Sequence, residues 1–162
     1  MDKKNKALFL DRDGVIINER GDYNYLPKHA IINETIVPLL KEAQEHNYLL
    51  IVITNQGGIS KGLYTNKEVE KIHKIIEQKL GEVSIVIHEF FYCPHHDSIE
   101  KCICRKPNSQ LLEKAISIYN IDPIQSFMIG DKETDVQAAQ KLGIKGIRIQ
   151  PNSTINGFHF HK

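Results

Sequence analysis

The sequence predicts an α/β fold: a single domain with a doubly wound, mostly parallel sheet and helices on both faces. Five short apolar runs are rich in β-branched and aromatic residues and alternate little, as expected of strands buried on both faces. Between them lie longer stretches whose apolar residues recur at helical spacing. Alternating strands and helices with short connections favour a parallel sheet, whose strands all end along one edge where ligands bind.

The individual elements follow in order along the chain. The predicted strands cover residues 7–10, 49–53, 85–92, 126–129 and 146–149. The predicted helices cover residues 34–46, 65–80, 108–120 and 134–142. Pro38 falls early in the first helix, where proline costs least, and Thr65 with Glu68 forms a capping box at the start of the second.

Length and composition indicate one small globular domain. The chain has 162 residues, of which 41% are hydrophobic and 25% charged, with a net charge of +1. We therefore expect one domain over residues 1–150 and a loosely ordered tail over 151–162. The absence of a basic stripe with interleaved aromatic residues argues against nucleic acid as a partner. Lacking a signal-peptide core or a long apolar run, the chain is expected to be cytoplasmic and away from membranes. The sequence leaves the oligomeric state open, and we favour a monomer.

Polar residues follow the predicted strands at the edge where the strands end. Asp11 and Asp13 follow the first strand, Thr54 follows the second, and Asp131 follows the fourth. Lys106 precedes the third helix. If the sheet is parallel, all of these side chains converge on one crevice.

This set of side chains suits phosphoryl transfer. The carboxylate of Asp11 can attack phosphorus and form an acyl phosphate. Asp13 lies close enough in sequence to protonate the leaving oxygen and later deprotonate water. Magnesium would separate the carboxylates from the phosphate, held by Asp11, Asp131 and a backbone carbonyl near Asp13. Thr54 and Lys106 could stabilise the charge of the transition state.

The four motifs resemble those of the haloacid dehalogenase superfamily of hydrolases. They are Asp11-Arg-Asp-Gly-Val, Thr54-Asn, Lys106-Pro and Gly130-Asp-x-x-x-Asp135. The resemblance implies that Asp11 is the nucleophile, that Asp13 is the acid/base, and that both bind magnesium together with Asp131. It also implies that Thr54 and Lys106 stabilise the phosphoryl group and that Asp135 lies outside the metal's ligands. Asn55, Arg105 and Lys132 are the implied substrate-binding residues.

Asp13 argues for a phosphatase, because the dehalogenases of this superfamily lack the second acid. Within the superfamily, residues 54–59, 92–96 and 104–107 resemble the branch of the D-glycero-D-manno-heptose 1,7-bisphosphate phosphatases and histidinol-phosphate phosphatases. Segments 55–65 and 19–23 are similar to the heptose enzymes, whereas the short interval between His95 and Cys102 is nearer to the histidinol-phosphate enzymes. We expect a heptose 1,7-bisphosphate 7-phosphatase, with histidinol-phosphate phosphatase as the alternative.

The three cysteines form one cluster with neighbouring histidines. Cys93, His95, Cys102 and Cys104 supply a Cys₃His set, which predicts a closed, structural zinc site in the loop 93–104. His96 is adjacent to His95 and could take its place. The alternatives are reduced cysteines without metal, or a non-catalytic zinc-stabilised binding module, against which the intact acids and lysine speak. Mg²⁺ and Zn²⁺ are the expected cofactors, with no organic cofactor.

Access to the predicted crevice is open. The segment 14–34 before the first helix has about twenty residues, which is too few for the large cap domain that covers the site in many members of the superfamily. An open edge suits a small phosphorylated metabolite as the substrate.

Overall fold

A computed structural model describes residues 3–160, and its centre is a sheet of five parallel strands. The strands lie side by side in the order β3-β2-β1-β4-β5. The chain adds β2 and β3 on one side of β1, and then β4 and β5 on its other side. This change of side creates a crevice in doubly wound folds. Their bounds are β1 Lys6–Leu10, β2 Tyr48–Asn55, β3 Glu89–Cys93, β4 Phe127–Gly130 and β5 Lys145–Arg148.

Helices cover both faces of the sheet, as predicted. They are α1 Val37–Glu45, α2 Asn66–Gly81, α3 Gln110–Tyr119 and α4 Glu133–Gln140. Alternate strand residues point to opposite faces: Leu8 and Leu50 belong to the cluster with α1 and α2, while Phe9 and Ile51 belong to the cluster with α3 and α4. Each of these four side chains is fully buried, so β1 and β2 lack a polar face.

Most predicted boundaries lie within two residues of the observed ones, and the reasons for the helix starts hold. Pro38 lies in the first turn of α1, which follows a 3₁₀ turn over Glu34–Ile36. Thr65 is the N-cap of α2, and its backbone N–H donates to the Glu68 carboxylate at 2.7 Å.

The third strand is shorter than predicted. Pairing begins at Glu89, and residues 85–88 belong to neither a strand nor a helix. Ile85 and Ile87 are nevertheless buried, because they pack into the core cluster beneath α1 and α2. A run of apolar residues indicates that the segment is buried, not that it pairs with another strand. The predicted strand was therefore too long.

The described part of the tail, residues 151–160, packs on the core at its far end, although residues 151, 152, 156, 157 and 159 are exposed. Phe160 is 4% exposed, and its ring lies 4.7 Å from Tyr48 and 5.9 Å from Phe127. Phe158 packs edge-on against Phe127. The expectation of a loose tail was therefore wrong for Phe158 and Phe160: with Tyr48 and Phe127 they form a cluster of four aromatic rings, which no helical or strand periodicity in the tail predicts.

The connection between β1 and α1 holds only two 3₁₀ turns, Pro27–His29 and Glu34–Ile36, so within residues 3–160 no cap domain is inserted there. Over the same residues, no helix combines the length and the apolar character needed to cross a bilayer.

Candidate active site

The carboxyl ends of the strands bring the predicted side chains to one crevice. A cavity of about 490 Å³ opens there, and its lining includes Asp13, Asn55, Arg105, Lys106 and Lys132. Asp11, Thr54 and Asp131 lie more deeply, with exposures of 6%, 1% and 5%. Parallel strands therefore gather residues that are more than a hundred positions apart in the sequence.

Lys106 is the cation at the centre of this site. Its Nζ donates to Asp11 Oδ1 at 3.0 Å, to Asp135 Oδ1 at 2.5 Å and to the carbonyl of Ile53 at 2.7 Å. Burial alone would lower the pKa of Lys106, but the charges of Asp11 and Asp135 raise it above its usual value. Asp135, which the family resemblance places outside the metal's ligands, holds this lysine in position.

Three carboxylates share this centre. Oxygen atoms of Asp11, Asp131 and Asp135 lie within 4.8 Å of one another. Burial, and then the neighbouring charge of Asp135, raise the pKa of Asp11 to about 8 and raise that of Asp131 as well. Asp131 Oδ1 is buried and lacks a hydrogen-bond partner among the described residues. Excess negative charge and an orphaned carboxylate oxygen fit a hard divalent cation such as Mg²⁺.

Two motif glycines make room for these acids. A side chain at Gly14 would place its Cβ 2.5 Å from Asp131 Oδ2, and the φ of Gly14 is +85°. A Cβ at Gly130 would overlap the side chain of Asp135. Close approach of backbone to carboxylate therefore explains why glycine follows Asp13 and precedes Asp131.

Asp13 is held by three side chains that the sequence did not single out. Asn24 Nδ2 donates to Asp13 Oδ1 at 2.8 Å, and Gln56 Nε2 donates to Oδ2 at 3.0 Å. The fully buried guanidinium of Arg12 donates to Oδ1 at 3.1 Å. Burial works to raise the pKa of Asp13, but the charge of Arg12 and these hydrogen bonds lower it. Arg12 and Gln56 lie within the quoted motifs, although neither was assigned a role, whereas no motif pointed to the bond between Asn24 and Asp13.

The amide of Gln56 connects Asp13 with Thr54. Besides its bond to Asp13, its Nε2 donates to Thr54 Oγ1 at 2.9 Å, and its Oε1 accepts from Arg12 at 3.1 Å and from the Tyr64 hydroxyl at 2.8 Å. Gln56 is 2% exposed. With all four bonds made, its amide orientation is fixed, and so are Asp13 and Thr54 relative to each other.

His73 of α2 contacts the same network through Arg12. Its Nε2 lies 3.5 Å from Arg12 Nη1, and its ring stacks on Phe90 with centroids 4.3 Å apart. Burial, and then the charge of Arg12, lower the pKa of His73 to about 3. His73 is therefore neutral at physiological pH.

The structure brings the predicted zinc ligands together. Cys93 Sγ lies 3.6 Å from Cys102 Sγ and 3.5 Å from His95 Nδ1, which in turn is 3.2 Å from Cys104 Sγ. Tetrahedral zinc with bonds of about 2.0–2.3 Å separates its ligand atoms by roughly 3.5–3.8 Å. The Cys93 and Cys104 sulfurs, 2.8 Å apart, are closer than this separation and would move apart when zinc binds. The donor set fits Zn²⁺.

His95, rather than His96, faces the three sulfur atoms. The backbone N–H of His96 donates to Ser60 Oγ at 2.9 Å, its Nδ1 contacts Ser98 at 2.7 Å, and the residue lines the cavity. Of the two adjacent histidines, the structure thus places one at the cysteine cluster and one at the cavity wall.

The cysteine loop leads directly to the cavity. Arg105 Nη1 donates to the carbonyl of His95 at 3.0 Å, and its Nε pairs with Asp97 at 3.3 Å. Asn55 Nδ2 donates to the carbonyl of Lys106 at 3.1 Å. Lys132, the N-cap of α4, also lines the cavity, and its backbone N–H donates to Asp135 Oδ2 at 3.1 Å. The predicted substrate-binding residues therefore surround one space, although the amide of Asn55 is directed at Lys106.

Comparison with known proteins gives relatives that cover most of the chain. A family model described as HAD-hydrolase-like matches residues 103–154. The chain is 36% identical over 146 residues to the D-glycero-beta-D-manno-heptose-1,7-bisphosphate 7-phosphatase of Haemophilus ducreyi, covering 86% of this chain and 80% of the relative. It is 38% identical over 147 residues to the D-glycero-alpha-D-manno-heptose-1,7-bisphosphate 7-phosphatase of Photorhabdus laumondii, covering 87% and 80%.

A solved structure shares the fold. The D,D-heptose 1,7-bisphosphate phosphatase of B. bronchiseptica, complexed with magnesium and phosphate, superposes with a TM-score of 0.81 and 26% identity. The match covers 87% of this chain and 78% of that protein.

Proposed function

The chain belongs to the haloacid dehalogenase-like phosphatases, in the family of the D-glycero-D-manno-heptose-1,7-bisphosphate 7-phosphatases, and we propose that it hydrolyses the 7-phosphate of a heptose 1,7-bisphosphate. The sequence-based prediction of a phosphatase, rather than a non-catalytic binding module, is confirmed by this membership. The observation that carries the proposal is the contact of Lys106 with Asp11 beside the unpaired oxygen of Asp131.

In the first step, a carboxylate oxygen of Asp11 bonds to phosphorus and the bond between phosphorus and the ester oxygen breaks. Asp13 gives its proton to the departing sugar oxygen. Asp13 is ionised in the structure described here, because Arg12 and two amides stabilise its charged form. A bound phosphate brings negative charge next to Asp13 and raises its pKa, so that Asp13 takes up this proton from solvent as the substrate binds.

In the second step, Asp13 takes a proton from water as the water oxygen attacks the phosphorus of the aspartyl phosphate. The bond between phosphorus and Asp11 breaks, which releases inorganic phosphate and restores the carboxylate. The three hydrogen bonds to Asp13 favour its basic form at this stage. One residue thus serves as acid and as base in turn.

The negative charge of the phosphoryl group must be stabilised while the group is transferred. Lys106 is fixed between Asp11 and Asp135, and Thr54 is fixed by Gln56, so neither has to reorganise during the reaction. Asp11 and Asp131, with the backbone carbonyl of Asp13, would hold Mg²⁺. When bound, Mg²⁺ would neutralise the carboxylates and the phosphate oxygens, and its charge would lower the pKa of Asp11 again, so that the nucleophile is ionised.

Arg105 and Lys132 suit a substrate with two phosphates. Both line the cavity, and both are cationic, whereas the reacting phosphate already has Lys106. A cavity of about 490 Å³ accommodates a phosphorylated sugar of this size. We assign to Arg105 and Lys132 the contacts with the rest of the substrate, and to Asn55 a contact at the same wall.

Zinc at Cys93, His95, Cys102 and Cys104 would have a structural role. A closed set of four nitrogen and sulfur ligands leaves no position for substrate. The loop it closes ends on Arg105 and Lys106, so zinc would fix the approach of two cations to the cavity. Reduced cysteines suit a cytoplasmic location, which we include in the proposal.

The decisive experiment is a substrate panel. Purified protein with Mg²⁺ is assayed for phosphate release from both anomers of D-glycero-D-manno-heptose 1,7-bisphosphate, from histidinol phosphate, and from an unrelated sugar monophosphate as control. We expect kcat/KM for one heptose anomer to exceed that for histidinol phosphate by at least about a hundredfold. Equal and slow turnover of all four compounds, or preference for histidinol phosphate, would overturn the assignment.

A further inference from the structure

One wall of the cavity is a short irregular segment, residues 19–24, between β1 and α1. Glu19, Asp22, Tyr23 and Asn24 of this segment line the cavity. At one end Asn18 donates its backbone N–H to the carbonyl of Ile31 at 2.8 Å, and at the other end Asn24 is buried. Residues 19–23 lie between these fixed points without helix or strand.

Asn152, far away in the sequence, clamps this wall at Glu19. Its Oδ1 accepts from the backbone N–H of Glu19 at 2.6 Å, and its Nδ2 donates to the carbonyl of Glu19 at 3.0 Å. Its own backbone N–H donates to the carbonyl of Gly14 at 2.8 Å. Within residues 3–160, these two side-chain bonds are the only hydrogen bonds that join the backbone of residues 19–23 to a residue outside the wall.

The backbone of the turn that carries Asn152 is held in place. Its φ is +62°, in the left-handed region that asparagine adopts more readily than most residues. The carbonyl of the next residue, Ser153, accepts from Nδ2 of Asn33 at 2.9 Å, and Asn33 is 2% exposed. The side chain of Asn152 is exposed to solvent, but the turn that carries it is tied to a buried amide.

The tail beyond Asn152 is anchored at the opposite end of the sheet. Ile149 donates to the carbonyl of Gly130 at the carboxyl end of β4, whereas Phe160 packs on Tyr48 and Phe127 at the amino ends of β2 and β4. Residues 149–160 thus form a strap along the sheet, fixed at both ends, with Asn152 at its cavity end.

We infer that Asn152 is a positioning residue for substrate binding: it holds Glu19, and through it the wall 19–24, in the place that receives the part of the substrate remote from Asp11. The inference rests on the proposed phosphatase function. Without the clamp, residues 19–23 keep local hydrogen bonds and the packing of Tyr23 against Tyr64, but regain backbone freedom that substrate binding must remove. The reacting centre around Asp11 and Lys106 is untouched.

The first test measures the clamp itself, independently of activity. Asn152→Gly keeps the left-handed backbone and the N–H bond to Gly14 while deleting the amide. Amide hydrogen exchange followed by NMR is expected to show the Glu19 N–H exchanging at least about tenfold faster in this variant. Asn156→Gly, in the exposed part of the same tail, is the matched control and should leave Glu19 unchanged. Equal exchange at Glu19 in wild type and Asn152→Gly would overturn the inference.

The second test separates substrate binding from chemistry. We expect Asn152→Gly to raise KM for the heptose bisphosphate about three- to tenfold, with kcat and inhibition by inorganic phosphate unchanged. Asn152→Asp, which retains the acceptor for the Glu19 N–H, should recover part of the loss. A fall in kcat, weaker inhibition by phosphate, or an unchanged KM would each contradict the positioning role. If wild type does not hydrolyse the bisphosphate at all, the proposed function fails, and the exchange measurement alone decides whether Asn152 holds the wall.

Discussion

The side-chain amide of Asn55 and the backbone of Lys106 are joined by two hydrogen bonds, one in each direction. Asn55 Nδ2 donates to the Lys106 carbonyl at 3.1 Å, and the Lys106 N–H donates to Asn55 Oδ1 at 3.0 Å. The end of β2 thereby fixes the backbone from which the Lys106 ammonium reaches Asp11. The sequence predicted a substrate contact for Asn55, and its location at the cavity leaves that prediction in place.

The pairing predicts a kinetic phenotype that differs from that of a substrate contact. Asn55→Ala should lower kcat about ten- to a hundredfold, because Lys106 loses its backbone support. Asn55→Asp keeps the acceptor for the Lys106 N–H and should lie between wild type and Asn55→Ala. Steady-state kinetics on the preferred substrate gives the answer. A rise in KM at constant kcat would instead show that Asn55 acts only on the substrate.

Asp11→Asn tests the nucleophile. We expect kcat to fall at least about a thousandfold, because an amide cannot form the acyl phosphate. The same change removes one of three crowded, buried carboxylates, so the free energy of unfolding in metal-free buffer should not decrease. Glu77→Gln, an exposed carboxylate on α2, is the control for neutralising an acid. Retention of full phosphatase activity by Asp11→Asn would refute the mechanism.

The acid cluster predicts that Mg²⁺ stabilises the fold. At a Mg²⁺ concentration about a hundred times its Kd, binding to the native state adds about 2.7 kcal/mol and should raise Tm by about 5 °C or more. Asp131→Asn should abolish most of this increase, because the orphaned oxygen of Asp131 is the best-placed ligand. Thermal unfolding of both proteins with and without Mg²⁺ provides the measurement. An equal rise in Tm for the two proteins would place the cation elsewhere.

His95 and His96 form a matched pair for testing the zinc proposal. His95→Gln should lose zinc and expose the loop 93–104 to proteolysis, because it removes one of four ligands. His96→Gln should keep zinc, because the His96 ring contacts Ser98 instead. Elemental analysis of purified proteins gives the zinc content directly. Zinc-free wild type, or zinc loss in His96→Gln alone, would contradict the assignment of ligands.

How far the sequence predicts this molecule depends on whether a feature is local. The sequence predicted the strands, the helix starts and the four motifs. Each depends on residues that are close together in the chain: the spacing of apolar residues, a proline, or the residue types that follow a strand. The ion pair of Lys106 with Asp135 was missed, since the two residues come from the loop after β3 and from α4 and meet only once the sheet has formed. The Gln56 network was missed for the same reason: the motif 54–59 contains Gln56, but its partners Asp13 and Tyr64 come from other segments of the chain.

The last prediction concerns the pH dependence of stability and comes from His73. In the native state the pKa of His73 is lowered to about 3 by burial and by the charge of Arg12, whereas in the unfolded chain it has the ordinary value near 6.5. The unfolded state therefore binds a proton that the native state does not, and stability is lost as the pH falls below about 6.5. At pH 5 this single group costs about 2 kcal/mol relative to pH 8.

His73→Gln keeps a neutral acceptor near Arg12 and removes the titration, so its free energy of unfolding should fall by about 2 kcal/mol less between pH 8 and pH 5 than that of wild type. Urea unfolding at both pH values measures this difference, and His88→Gln, at an exposed histidine, serves as control. Other groups, including the cysteine cluster, are common to all three proteins and cancel in the comparison. If the stability of His73→Gln and wild type had the same pH dependence, His73 would be protonated in the native state at pH 5. A negative charge in the Arg12 network would then have to stabilise the imidazolium.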